Sequence, residues 1–320
     1  MRRELGQMRF GDQLVAELGQ GRGSRELERI EALLDWVAIK EVLSPIYASS
    51  TGGPSWPVES LLKVMLLQQW YGLSDPQMEE ALGERLSFRR FVGLGLGDGT
   101  PDHSTISGFR KELGSLIPSV FGEVNRQLEA HKLIVKAGTL IDATLIASAA
   151  KEPPKQKGGG SAPHDPEALW AKRGNRAYFG YKVHVAVDQH SGLVRSAEVT
   201  SAPVNDCVLG PHLVQEDEGA VYADRGYDSE VLRNHLAALG VENQVMRRPN
   251  RKIRVLPEED LARNKRIAHV RGRVETVFAI LKRHYRLSRM RYFGLKRNIV
   301  HVLLAVTAMN LRRSLQLLPA

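Results

Sequence analysis

The 320-residue chain has a single cysteine, Cys207. One thiol cannot close an internal disulfide or build a multi-cysteine zinc site. Long apolar runs are also missing. The longest, VLLAVTAM at 302–309, sits among arginines and falls short of the ~18 residues a membrane span needs. The opening MRRELGQMRF carries basic residues with no apolar core behind them, which argues against a signal peptide. These absences point to a cytosolic chain with no part in a membrane. No internal repeat is visible, so a solenoid or propeller is not expected. Acid is scarce in one region. Between 246 and 313 only Glu258, Glu259, Asp260 and Glu275 oppose 19 Lys and Arg. The net charge is +9, so this stretch holds an excess of +15 and the remainder −6. Such an uneven distribution is the electrostatic footprint of a polyanion partner, with DNA or RNA first.

With 42% hydrophobic and 25% charged residues, the chain can bury a sizeable core in one large or two modest domains. Residues 1–30 are polar and Gly-rich and read as a loosely held arm. Residues 31–130 read as helical, a domain for DNA-end binding or dimerisation. Leu33, Leu34, Val37 and Ile39 suggest one amphipathic segment. VESLLKVMLLQQWY (58–71) reads as a buried helix, and Ser74 with Gln77 forms a capping box for SDPQMEEAL.

From about 131 the period changes. TLIDATLIA (139–147) alternates and is rich in β-branched residues, as a strand requires. Pro, Gly and Lys then break every pattern, so 151–177 reads as a mobile loop. Strands follow at 180–188 and 193–202, joined by the QHSG turn. A helix capped by Asn205 and Asp206 comes next, then a strand at 219–227. SEVLRNHLAALG reads as a helix ended by Gly240, and VENQVMRR as the last strand. A basic helix over 266–286 and an apolar one, NIVHVLLAVTAMNLRR, complete a domain at 131–313, leaving 314–320 as a tail. The order β-β-β-α-β-α-β-α predicts an α/β fold. Three strands form an antiparallel meander, and later strands extend it in parallel into a mixed sheet flanked by helices.

Three acids stand out in this order. Asp142 lies in the first, apolar strand, where a carboxylate is costly to bury unless paired or metal-bound. Asp224 ends the fourth strand before Arg225-Gly226. Glu275 is on the 266–286 helix. At ~100° per residue, four and eleven steps return to about 40° and 20° of the start, so Arg271, Glu275 and Lys282 share one helix face. An i, i+4 pair such as Arg271 and Glu275 is ordinarily surface support worth a few tenths of a kcal/mol, roughly. The two upstream aspartates favour another role. Three converging carboxylates make an oxygen-rich pocket suited to Mg²⁺ or Mn²⁺. Two such ions about 3.5–4 Å apart can activate a water or a 3′ hydroxyl against a phosphodiester. Other acids fit plainer roles: Asp188 as a turn former, Asp206 and Asp228 as helix caps. His184 reads as a hydrogen-bonded sheet residue. Trp36, Trp56 and Trp70 read as core.

These residues resemble a bacterial insertion-sequence DDE transposase, close to the insertion-sequence-five group, over nearly the whole chain. LLKVMLLQQWYGLSDPQMEEALGERLSFRRFVGL and TPDHSTISGFRKEL are similar to that group's helical N-terminal domain. IDATLIA and VYADRGYDS match the segments bearing the first two acids, and FGYKVHVAVD the second strand. RGRVETVFAILK matches the signature Tyr-x2-Arg-x3-Glu-x6-Lys at Arg271, Glu275 and Lys282, with Ala268 in place of the tyrosine. The resemblance implies a ribonuclease-H-like catalytic domain with Asp142, Asp224 and Glu275 as catalytic metal ligands. It implies recognition of terminal inverted repeats in double-stranded DNA, cleavage to a 3′ hydroxyl, and attack of that hydroxyl on target DNA by a homodimer. Arg271 and Lys282 would hold DNA near the metals, and Arg273, Arg283, Arg286 and Lys182 are added as candidate DNA contacts. The site of action would be the nucleoid. Two other readings are a nuclease or resolvase of the same fold that cuts without joining, and a non-catalytic DNA-binding derivative.

Overall fold

The computed structural model describes residues 21–47, 55–154, 162–249 and 254–318. The chain divides into two compact units, Met1–Ala130 with Leu303–Ala320, and His131–Val302. The last helix contributes to both, because its second half clusters with the first unit.

The first unit is helical. Of the expected arm, residues 1–20 lie outside the described residues, and the rest differs from expectation: α1 spans Arg22–Leu33. Leu27, Ile30 and Leu33 are buried on one face of it, a spacing of three residues hidden by the polar composition around it. The single segment expected over 33–39 is in fact a break. Asp35 accepts from the backbone N–H of Val37 and Ala38 and caps a separate helix, α2 (Trp36–Leu43), which leaves Val37 exposed. Helix α3 (Val58–Tyr71) has the expected bounds and is buried along most of its length. The Ser74–Gln77 capping box opens α4 (Asp75–Glu84). Helices α5 (Leu86–Val92), α6 (His103–Glu112) and α7 (Ile117–Ala130) follow. Buried Arg89 closes the glycine-rich loop after α5 by donating to the carbonyls of Leu82, Gly95 and Asp98. Trp56 and Trp70 are core residues and Trp36 is half-buried against Phe91.

The second unit is built on a six-stranded sheet. Strand β1 (Thr139–Ala147) pairs antiparallel with β3 (Arg176–Asp188) from Thr139↔Asp188 to Ala147↔Gly180. On its other edge β1 pairs in parallel with β5 (Ala220–Ala223), which pairs in parallel with β6 (Glu242–Val245). Strand β4 (Val194–Ser201) lies along the second half of β3. The meander and its parallel extension therefore form as expected. One strand departs from expectation. Leu169–Arg173, inside the stretch that reads as a mobile loop, is β2, and it pairs with the first five residues of β3. Residues 155–161 of that stretch lie outside the described residues.

Helices α8 (Asp206–Leu213) and α9 (Glu230–Leu239) supply Leu209, Leu213, Leu232 and Leu236 to a core with Ile141, Val221, Ala223 and Val245. Strand alternation turns Asp142 away from this core. The basic helix expected as one element is two, α10 (Glu258–Arg271) and α11 (Arg273–His284), meeting at exposed Gly272. Helix α12 (Leu295–Leu317) runs through residues expected as a tail. No described helix is long and apolar enough to cross a membrane.

Candidate active site

The site begins where β1 and β5 run side by side. Ile141 pairs with Ala223, so the next residues, Asp142 inside β1 and Asp224 just past the end of β5, stand side by side. Asp142 Oδ1 accepts from its neighbour Ala143 N at 2.9 Å, and Oδ2 accepts from Arg271 Nη1 at 2.6 Å. Both partners of this ion pair are mostly buried, with 16% and 17% of their side chains exposed. Burial raises the Asp142 pKa above the usual carboxylate value, and nearby Asp224 adds to that. Arg271 and the Ala143 N–H act in the opposite sense.

Asp224 is held by the turn it starts. Its Oδ1 accepts from Gly226 N at 2.8 Å. Gly226 does not have the positive φ that demands glycine elsewhere in the chain, so its lack of a side chain is a matter of space. A Cβ there would lie 2.9 Å from Asp224 Oδ1 and 3.4 Å from Asp206 Oδ2. Two carboxylates from different elements therefore face one small opening that only glycine leaves clear.

The helix-cap role expected of Asp206 fails. Asn205 caps α8, which frees Asp206, the first helical residue, to turn inward. Its Oδ1 accepts from Lys182 Nζ at 2.8 Å. Behind it lies buried His184, with Tyr227 Oη at 3.4 Å, Thr200 Oγ1 at 3.2 Å and Asp206 Oδ1 at 3.9 Å. Burial lowers the His184 pKa to about 4, with Lys182 adding to this and Asp206 opposing it. Tyr227 is raised well above its ordinary value, first by burial and then by Asp206, Asp142 and Asp224. His184 is thus the hydrogen-bonded sheet histidine expected. Asp188 is the turn former expected: its two oxygens accept from Val135, Lys136, His190 and Ser191. Asp228 is not the cap of α9. Ser229 is, while Asp228 pairs with Arg233 and accepts from Arg248 N.

The signature residues, expected on one face of one helix, are divided: Arg271 ends α10, and Glu275 and Lys282 are on α11. Arg271 Nη1 is on Asp142, and its Nε is buried with no partner among the described residues. Lys282 Nζ donates to Thr144 Oγ1 on β1 at 2.7 Å, and burial lowers its pKa. Glu275 lies between them on α11 but is exposed, and its side chain contacts neither aspartate. Among the described residues no three His, Cys, Asp or Glu side chains stand close enough to share a metal ion. Asp142 and Asp224 come together and Glu275 does not join them. Of the other cations, Arg273, Arg283 and Arg286 are exposed. Lys182 is not available to DNA as expected, because its ammonium is committed to Val204 O and Asp206. Ala268, where the signature has tyrosine, is exposed on α10.

This donor set fits a divalent cation. The fit rests on two carboxylates, Asp142 and Asp224, whose oxygens are hard donors, and Arg271 occupies the Asp142 oxygen that an ion would take. Sequence reasoning missed Asp206, Gly226 and Tyr227. The signals were present in Asn205, which makes a second cap redundant, and in Gly226, which follows an acid by two residues.

Residues 17–112 match the family model described as Transposase domain (DUF772), and residues 135–311 match the one described as Transposase DDE domain. Among solved structures the chain is similar to piggyBac transposase in the cryo-EM structure of its synaptic complex with hairpin DNA. The identity is 12% and the TM-score 0.39, over 88% of this chain and 71% of that one. The transposase DDE domain match covers more than half of the chain, and the sheet is the ribonuclease-H-like one, with β1 central, β3 antiparallel to it and β5 parallel. Enzymes of this family act on DNA and use divalent metal ions. The chain belongs to the transposase DDE domain family and is a DNA transposase, an enzyme of DNA cleavage and strand transfer.

Proposed function

We propose that Asp142, Asp224 and Glu275 hold two Mg²⁺ or Mn²⁺ ions, and that a homodimer of this chain cuts double-stranded DNA at the terminal inverted repeats of its own element. The freed 3′ hydroxyl is then joined to target DNA, and the work takes place at the nucleoid in the cytoplasm. The observation that carries this reading is the placement of Asp142 and Asp224 side by side, one residue beyond the Ile141–Ala223 pairing of parallel β1 and β5.

When bound, the ions would supply Lewis acidity to the phosphodiester under attack. The chain's residues do the rest. Asp142 and Asp224 fix the ions where β5 ends, and Glu275 turns in from the first turn of α11 to complete the set. Arg271 gives up its contact with Asp142 and, with the donor it already holds unpaired, takes a phosphate oxygen in bidentate fashion. Lys282 holds a second phosphate from the Thr144 side. Water first adds to phosphorus as the bond to the 3′ oxygen breaks and that oxygen takes a proton. In joining, the 3′ oxygen loses its proton, adds to a target phosphorus, and the target's own 3′ oxygen leaves.

The test is a duplex carrying the element's end, incubated with target DNA and Mg²⁺. Wild-type protein should cut and join. Glu275→Gln should lose about a thousandfold in both steps, the effect of several kcal/mol in the barrier. Unchanged activity in that variant sinks the assignment of Glu275. A wild type that cuts and never joins would be a nuclease.

A further inference from the structure

The strand hidden in polar sequence makes a structure of its own. β2 pairs with β3 from Leu169↔Gly180 to Arg173↔Arg176. The pairing of β1 with β3 begins only at Gly180, and that of β4 with β3 only at Tyr181. Phe179 is buried and its carbonyl accepts from Ser148 N, so the base of the hairpin belongs to the sheet. Among the described residues, Arg176–Tyr178 have β2 as their only strand neighbour, and the three pairs from Ala171↔Tyr178 to Arg173↔Arg176 form a ribbon of roughly 10 Å at ~3.3 Å per residue. Its stem is stiffened by Trp170 and Phe179, directly opposite in register with ring centroids 5.4 Å apart. Its tip is the Gly174-Asn175 turn, with Gly174 at φ +60.

The ribbon LWAKRGNRAYFG carries Lys172, Arg173 and Arg176 and no acid. All three cations are exposed at the tip, and their side chains have no hydrogen-bond or ion-pair partner among the described residues. Three like charges crowded on a two-residue turn repel one another, so folding alone gives no reason to keep them together. Arg173 is close enough to Lys282 for its charge to disfavour the Lys282 ammonium, after the larger effect of burial. The hairpin starts at Gly180, opposite Ala147, three residues along β1 from Thr144, whose hydroxyl Lys282 of α11 contacts.

We propose that this ribbon grips duplex DNA next to the phosphodiester being cut, with Lys172, Arg173 and Arg176 on backbone phosphates. The major groove of B-DNA, about 12 Å wide, admits a two-stranded β-ribbon. The contacts are to phosphates, so the grip is independent of base sequence. The proposal rests on the reading of the protein as a DNA-cutting transposase.

The test uses the full chain with Lys172, Arg173 and Arg176 all changed to Ala, binding a duplex of about 25 bp without divalent metal across a range of salt concentrations. Each lost phosphate contact lowers the slope of log K against log salt by about 0.9. The triple variant should therefore lose about 2–3 from the slope and bind at least about tenfold more weakly at about 0.1 M salt. Its thermal unfolding should match the wild type, because the changed side chains are exposed. In a second arm a photo-crosslinking residue replaces Asn175. It should attach to nucleotides flanking the cleavage position. An unchanged slope, or crosslinks only to a second protein chain, overturns the ribbon's role while leaving wild-type cutting and joining intact. A wild type with no salt-dependent binding removes the transposase reading and the ribbon's role together.

Discussion

Gly226 shows how a residue without a side chain can define a site. Its replacement by Ala puts a methyl group within 2.9 Å of Asp224 Oδ1, and the carboxylate has to rotate, since the backbone can stay as it is. We expect Gly226→Ala to reduce metal-dependent cleavage by about tenfold or more while changing stability by no more than about 1 kcal/mol. A chemical denaturation curve beside a cleavage assay separates the two effects, and equal activity would show that the opening is not used. His184 makes a pH-dependent contribution. Its folded pKa of about 4 lies below its ordinary 6.5, so the unfolded chain binds the proton more tightly. The contribution is fully present above about pH 6.5 and is lost as pH falls toward 4, on the order of 3 kcal/mol in all. The groups around the ring are Tyr227, Thr200, Asp206 and Lys182. Urea midpoints at about pH 7 and about pH 4.5 should diverge more for wild type than for His184→Gln, and parallel shifts would contradict the assignment. Asp142 and Asp224 are legible in the sequence because a carboxylate ending or interrupting an apolar strand is conspicuous. Asp206 is not, because an acid at the start of a helix has an ordinary explanation that only the cap on Asn205 removes.

At the level of elements, strands and helices with strong periodicity stand where the sequence places them, β1 and α3 to the residue. Three of the departures share one cause. α1, β2 and the break at Gly272 all lie in polar or glycine-bearing sequence, where tertiary contacts outweigh local preference. For β2 that contact is the early part of β3, which cannot be seen from a stretch full of Pro and Lys. Gly180 is the joint between them. It sits at φ +152, and a Cβ there would fall inside van der Waals contact with the Ile146 carbonyl oxygen and the Ser148 amide. Any side chain forces β1 and β3 apart at the end of their ladder. Gly180→Ala should destabilise the fold by about 2–4 kcal/mol, combining backbone strain with lost pairing. Thermal unfolding measures this, and a shift of the midpoint by less than about 2 °C would mean the ladder end is already loose.

Taken whole, the molecule separates its charges along the sequence. The +15 excess between 246 and 313 surrounds Glu275, while the rest of the chain is slightly acidic. This asymmetry is plain from the sequence alone, because charge is a property of composition. The convergence of acids from β1, β5 and α8 is not, because it depends on strand order. If exposed Arg273, Arg283 and Arg286 meet phosphates, affinity for any duplex should fall between about 50 and 200 mM salt by about fortyfold on account of these three contacts. A flat titration by fluorescence anisotropy would show that the basic segment is not a DNA surface. One further property follows from the outer edge of β3, which two strands share end to end. β4 occupies the half that faces the catalytic core, and β2 occupies the half beyond Gly180. Length can be added to or removed from the β2 hairpin without shifting the register of β1, β3 or β4. This edge is where the fold has room for a longer or shorter hairpin, while the strand bearing Asp142 and the turn bearing Asp224 stay in place.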